Sequence, residues 1–225
     1  MASQVYRNVT CNNCNTVMEY DVYDSINATL QPKLKEKIVN DELFVLTCPE
    51  CGKKFYLSYG FLYNDIDCGH MIHYSCSEDI TNELQQFKDI VGNFKKEIST
   101  HFNSLSYKFR FVNDFHKLKE KIRIFDKNLD DRIIELYKYE FIVNGYDKDL
   151  SQLDDIVFVN VDGSSEFVFV LFEKDVIENV RAISFDEMEY TRLEKEYEDY
   201  LSTYDDVEID LVWAQNVYNS VNINN

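Results

Sequence analysis

Apolar residues along the chain fall into short alternating runs and into longer stretches with a period of three to four. "TVMEYDVY" (16–23) alternates as a half-buried strand does, and "QPKLKEKIV" after Leu30 joins a proline to helical apolar spacing, predicting a short helix. "ELFVLT" runs into Cys48 and "KKFYLSY" runs out of Cys51, which predicts two strands joined by a tight turn, with Gly52 just after it. "HMIHYS" (70–75) reads as a further strand. Ile80, Leu84, Phe87, Val91, Phe94 and Ile98 share one helical face and predict an amphipathic helix over 80–98. In "LSYKFRFV" (105–112), Leu105, Tyr107, Phe109 and Phe111 alternate with Ser106, Lys108 and Arg110, the pattern of a strand with one solvated face.

Two more helices follow, "FHKLKEKIRIF" capped by Asp114 and "RIIELYKYEFIV" opened by Asp130 and Asp131 at the positive end of its dipole. "DIVFVNV", a DG turn with two serines, and "EFVFVLF" form the clearest hairpin signal. "VRAISF" predicts a strand, Asp186 to about Tyr204 an acidic helix, and "VEIDLVWAQ" a last strand, with Trp213 anchoring the tail to the core. The fold class expected is α+β: a β-rich front part over residues 1–78, then an α+β region over 79–225 with amphipathic helices and an antiparallel hairpin. The 80–98 helix joins the two.

Composition supports a packed chain. Of 225 residues 45% are hydrophobic and 15% aromatic, and two prolines and six glycines leave little for a flexible linker. The net charge of −18 disfavours duplex nucleic acid and anionic membranes and favours protein partners. Charge is uneven, basic from Lys88 to Arg123 and acidic from Asp186 to Asp210. "MASQVYRNVTC" lacks the basic and apolar regions of a secretory signal, and no apolar window is long enough for a membrane helix. A cytoplasmic protein is therefore expected, in a compartment where thiols stay reduced.

The cysteines then acquire meaning. Cys11 and Cys14 form "CNNC", Cys48 and Cys51 form "CPEC", and the spacer between them spans residues 15–47. Each C-x2-C turn supplies two sulfurs, so two such turns complete a tetrahedral four-thiolate shell, and a shell with no open position points to a structural zinc ion. A thiol–disulfide pair is the competing reading, but it favours a single C-x-x-C at a helix start within a βαβ unit, which neither pair shows.

The stretch "TCNNCNTVMEYDVYDSINATLQPKLKEKIVNDELFVLTCPECGKKFYLSYGFLYND" resembles the CpXC-domain family of bacterial proteins. The resemblance lies in the order of a cysteine knuckle, a "YDSIN" segment, a "P-x-L-K-E-K" helix and an "F-x-C-P-x-C-G"-like knuckle, and "LKEKIRIFDKNLDDRIIELYK" continues it, over roughly residues 7 to 140. It implies a zinc-ribbon domain with no established activity, its metal held by Cys11, Cys14, Cys48 and Cys51. Rubredoxins share the "CPxCG" knuckle and hold iron for electron transfer. Asn15 stands where a rubredoxin has glycine, and the helical spacer is unlike theirs.

Other candidates carry less. Cys68, His70, His73 and Cys76 approach the composition of a second zinc site, but strand alternation sends successive side chains to opposite faces. His101 and His116 have no nucleophile motif beside them, and no glycine-rich phosphate loop occurs. Asp130, Asp131 and Glu135 read as a capped, solvated helix start, and Asp154, Asp155 and Glu173 only faintly resemble a nuclease core. On the 105–112 strand the aromatic residues share one face and the charges take the other, which is a core strand and not a stacking platform for single strands. The expectation is a non-enzymatic zinc-ribbon protein that binds another protein.

Overall fold

The first element is a strand that hydropathy does not single out. β1 (Ser3–Thr10) pairs antiparallel with β2 (Val17–Asn27), Val9 opposite Met18 and Tyr6 opposite Asp21. As the outer strand, β1 is exposed almost throughout and carries no alternating signal, whereas β2 buries Met18, Val22 and Ile26 on one face. The structure, a computed structural model, describes residues 3–101, 107–147, 149–161, 166–174, 181–203 and 206–222.

Pro32 opens α1 (Pro32–Val39), which buries Leu34 and Ile38. β3 (Val45–Thr47) and β4 (Lys54–Tyr56) form a separate two-stranded sheet. β5 (Phe61–Asp65), β6 (His70–Tyr74), α2 (Thr81–His101) and β7 (Lys108–Val112) complete the front of the chain. The main sheet has the order β1-β2-β5-β6-β7, in which β2–β5 and β6–β7 are parallel. Parallel neighbours require a crossover, supplied first by α1 with the β3–β4 hairpin and then by α2. On one face Phe61 and Tyr74 pack against Phe44 with ring centroids 6.2 and 5.9 Å apart. On the other, Phe87 and Phe94 of α2 meet Phe111 and Phe109 at 6.1 and 5.4 Å. β7 is thus covered on both sides. The solvated face expected for it does not exist: Arg110 is 5% exposed and donates to the Phe109 carbonyl.

His70 shows what this double cover does to an ionisable group. It is fully buried and stacks on Tyr63 at 5.7 Å. Burial pushes its pKa down to about 4, against the pull of Asp65 and a hydrogen bond to the Cys68 backbone, and with further help from Lys35 and Lys108. An unfolded chain binds a proton at His70 once pH falls through about 6.5, whereas the folded chain does not until about 4. Stability is therefore full above the upper value and lost progressively between the two, by about 3 kcal/mol. Denaturant titrations of the native chain and of His70→Phe are expected to diverge over that window; parallel pH profiles would contradict the burial effect.

α3 (Phe115–Asp126) follows, with Asp114 accepting from the backbone N–H groups of His116 and Lys117 at 2.7 and 3.0 Å, and Asp130 caps α4 (Asp131–Asn144) through the Arg132 N–H. After a single 3-10 turn, Leu150–Gln152, come β8 (Leu153–Asn160), β9 (Phe167–Glu173) and β10 (Arg181–Ser184), an antiparallel sheet in the order β10-β9-β8. The DG turn expected between β8 and β9 lies in 162–165, outside the described residues. Tyr137, Phe158, Phe169 and Phe185 form the aromatic centre, Tyr137 and Phe169 at 4.7 Å and Phe158 and Phe185 at 5.3 Å. The acidic helix appears as α5 (Glu187–Glu196) and α6 (Glu198–Thr203).

The last segment corrects an expectation. In place of a strand it forms α7 (Leu211–Asn222), started by Asp210 Oδ1 accepting from the Trp213 N–H at 2.8 Å. Trp213, Ala214 and Val217 are buried at helical spacing, and α7 packs on α4. Trp213 does anchor the tail.

The chain packs as two compact units, residues 1–119 and 120–225, the division falling within α3. This is later than the join expected near residue 78, because α2 and β7 pack into the first unit's sheet. Helices and sheets occur in both units, so the chain is α+β, with the cysteines among its first strands and an antiparallel sheet towards its end.

Candidate metal centre

Two tight turns built on the same hydrogen-bond plan carry the four cysteines. In the β1–β2 turn the Cys11 N–H donates to the Thr16 carbonyl at 2.9 Å and the Asn15 N–H to the Cys11 carbonyl at 3.0 Å. In the β3–β4 turn the Cys48 N–H donates to the Lys53 carbonyl at 2.9 Å and the Gly52 N–H to the Cys48 carbonyl at 2.9 Å. The fourth residue after each leading cysteine has a left-handed backbone, φ 59° at Asn15 and 71° at Gly52. Glycine adopts that conformation freely and asparagine is among the few side chains that tolerate it. Asn15 therefore does in the first knuckle what Gly52 does in the second, and its departure from the rubredoxin pattern has no consequence for the turn.

A methyl group on Gly52 would meet no atom within 4 Å, so Gly52→Ala isolates the backbone term. The expected loss is about 1–2 kcal/mol with the site still assembled. Asn15→Gly is expected to leave metal content unchanged. Thermal melts with metal analysis check both.

Tyr20 brings the turns together. Its hydroxyl, on β2, donates to the Thr47 carbonyl at 2.6 Å and accepts from the Thr47 N–H at 2.9 Å, one residue before Cys48. Cys11, Met18 and Cys48 form a small buried cluster with Val9, Tyr20 and Phe55 around it. The four sulfurs consequently lie within 4.8 Å of one another. Cys11 Sγ is 3.7 Å from Cys51 Sγ, and Cys14 Sγ is 3.6 Å from Cys48 Sγ. All four are free thiols. Four thiolates about 2.3 Å from a common centre are about 3.8 Å apart along each tetrahedral edge. The donor set and its spacing fit a metal ion.

The charge on the sulfurs is uneven. Hydrogen bonding with the Thr16 hydroxyl, 3.2 Å from Cys14 Sγ, and with the Thr16 backbone holds Cys14 down at about 6. Cys48 receives backbone hydrogen bonds from Cys51 and Glu50 that pull it down, but burial and the neighbouring sulfurs of Cys14 and Cys51 outweigh them and push it up to about 11. Cys51 is lowered, first by the Lys53 backbone and then by the Asn13 side chain. Loss of the proton is thus favoured at Cys14 and opposed at Cys48. A divalent cation supplies the positive charge that lets all four sulfurs ionise together.

His70 and His73 lie on opposite faces of β6. His73 stacks on Phe111 at 5.1 Å with a ring nitrogen 3.3 Å from the Glu83 carboxylate, while His70 is buried beside Tyr63. Among the described residues, no group of three metal-ligating side chains includes two of Cys68, His70, His73 and Cys76.

Of the carboxylates expected at a solvated helix start, Asp130 is half-buried and Asp131 and Glu135 are buried. Asp131 and Glu135 of α4 pair with Lys121 at 3.0 and 3.2 Å, and Lys138 pairs with Glu135 at 3.2 Å and Glu120 at 2.6 Å. Each of the five is at most 1% exposed. Glu120 Oε1 also accepts from the Phe158 N–H of β8 at 2.6 Å. Asp131, Glu135 and Lys138 recur at helical spacing, the signal in the sequence, but only the fold shows that this face looks inward.

Fold and site together define an α+β protein whose first unit carries a four-cysteine, zinc-ribbon-like centre capable of binding a metal ion. The family model described as CpXC protein matches residues 9–138, more than half of the chain, from just before the first knuckle into α4. The chain belongs to the CpXC family. No curated protein and no solved structure matches it. No described helix is long and apolar enough to cross a membrane.

Proposed function

We propose that this is a non-enzymatic cytoplasmic protein in which Cys11, Cys14, Cys48 and Cys51 hold a structural zinc ion, and that the stapled knuckles present a contact surface to another protein. The observation that carries the reading is the meeting of four sulfurs from two turns of the same construction, 3.6 and 3.7 Å apart across the turns. Four protein thiolates fill a tetrahedral shell, the arrangement of structural zinc and not of catalytic zinc, which keeps a position for water. The zinc would supply charge neutralisation and a cross-link between hairpins; the protein's own residues set the turns and shield Cys11 and Cys48. Asn12, Asn13, Pro49 and Glu50 at the tips are all exposed, and the net charge of −18 favours protein over nucleic acid as the partner.

An iron-bearing, rubredoxin-like electron carrier is the second reading, favoured by the left-handed backbone common to Asn15 and Gly52. Elemental analysis and a visible spectrum of the purified native chain separate the two. One equivalent of zinc in colourless protein supports the first, and a red protein with iron supports the second. For the contact surface, Asn12→Lys combined with Glu50→Lys is expected to keep the metal and lose a partner captured by the native chain. Equal capture by both proteins would remove the knuckle tips from the interaction.

A further inference from the structure

Each knuckle contains one buried and one exposed cysteine. Cys11 and Cys48 are 0% and 1% exposed, whereas Cys14 and Cys51 are open to solvent. Two sulfur contacts run from one knuckle to the other. Cys14, exposed in the first, touches Cys48, buried in the second, at 3.6 Å; Cys51, exposed in the second, touches Cys11, buried in the first, at 3.7 Å. A reagent in solution can reach only the exposed member of each pair, and the shielded member from the other turn lies 3.6 or 3.7 Å from it.

We propose that the centre is an oxidation site for hydroperoxides, in which Cys14 and Cys51 are attacked first and Cys48 and Cys11 resolve them, so that disulfides form across the two knuckles and the metal ion is expelled. The expulsion rests on the four-cysteine metal reading above; the pairing of the sulfurs does not.

The chemistry closes. The Cys14 thiolate attacks one oxygen of the hydroperoxide, an S–O bond forms, the O–O bond breaks, and hydroxide or alkoxide leaves to be protonated to water or alcohol. The Cys48 sulfur, having given up its proton, then attacks Cys14 sulfur, an S–S bond forms, the S–O bond breaks, and hydroxide leaves as water. Two thiolates have lost two electrons and one peroxide has gained them. Zinc takes no part in the electron transfer. Cys51 and Cys11 repeat the sequence with a second peroxide. Closing either contact to a bond of about 2.05 Å needs a sulfur movement of about 1.6 Å. A disulfide sulfur is no longer a thiolate, so each bond removes two ligands from the metal.

The native chain, loaded with one equivalent of zinc and treated with hydrogen peroxide, tests this. A chromogenic chelator follows the zinc, and non-reducing peptide mapping by mass spectrometry identifies the bonds. The expected result is complete loss of zinc in step with Cys14–Cys48 and Cys11–Cys51 linkages, reversed by a dithiol reductant plus zinc and unchanged in a Cys68→Ser, Cys76→Ser double variant. Bonds within a knuckle, sulfinic acid at Cys14 or Cys51 without any disulfide, or zinc retained in excess peroxide would overturn it. Cross-knuckle linkages in protein that purifies without metal would uphold the thiol pairing and defeat the metal reading instead.

Discussion

Replacing Cys48 by serine is expected to abolish stoichiometric metal binding and to loosen both knuckles, and a strong chelator added to the native chain should do the same. The reason is how little else holds this end together. β3 and β4 have three residues each, and a two-stranded ribbon of that size is not stable alone in water. The buried cluster beneath the sulfurs consists of Cys11, Met18 and Cys48, with only Val9, Tyr20 and Phe55 around it. Against that, structural zinc sites in small peptides contribute about 10–16 kcal/mol of apparent binding free energy at neutral pH, most of which is folding free energy. The aromatic packing of Phe44, Phe61 and Tyr74 does not involve the sulfurs, so the loss should be local. Metal analysis together with amide hydrogen exchange checks this: protection should fall over residues 9–20 and 45–56 and persist over β5 and β6. Unchanged exchange at the knuckles after metal removal would show that the turns stand without an ion.

The cysteine centre was legible because its signal is local. A C-x2-C turn places two sulfurs by its own hydrogen bonds, and the same spacing twice is enough to pair the turns without knowing the path between them. The hairpin of β8 and β9 and the periodic helix α2 were legible for the same reason. The misses all concern what lies on the other side of an element. β1 has no alternation because it is exposed on both faces apart from Val9, and the short β5 carries little pattern of its own. β7 reads as half-solvated because Lys108 and Arg110 alternate with aromatic residues, whereas the fold covers Arg110 as well. "LVWAQ" read as a strand over five residues, while the helical repeat of Trp213, Ala214 and Val217 needs a longer window and the cap at Asp210 to be recognised. The buried acids of α4 are the clearest case. Charge normally marks the wet face of a helix, and only a second charged helix packed against it reverses that rule.

That reversal leads to the second large effect, Lys138→Met, which is expected to destabilise the 120–225 unit by about 3–5 kcal/mol. The Lys138 ammonium is fully buried, and although burial alone would lower its pKa, Glu120 and Glu135 raise it above the ordinary lysine value. A group whose folded pKa is raised contributes stability that is complete below the unfolded value of about 10.5, so at neutral pH the whole contribution is present. Removing the cation takes from Glu135 one of its two lysine partners and takes from Glu120 the ammonium 2.6 Å away, while Glu120 stays buried and accepts from the Phe158 N–H. A buried carboxylate that loses its ammonium has no bulk water to replace it, and that desolvation outweighs the apolar contacts a methionine would add. The acids outnumber the lysines in this group by three to two, and Asp131 is held partly by its place in the first turn of α4, where the helix dipole favours negative charge. The excess charge therefore falls most heavily on Glu120, which lies in the interior of α3, away from a positive helix end. Glu120→Gln in the Lys138→Met background should accordingly restore a large part of the loss, because the amide is neutral and its carbonyl still accepts from Phe158. Trp213, buried in the same unit, reports the transition by fluorescence in denaturant. A double-mutant cycle in which the two losses simply add would show that Glu120 and Lys138 are not coupled, and that the short contact between them contributes packing only.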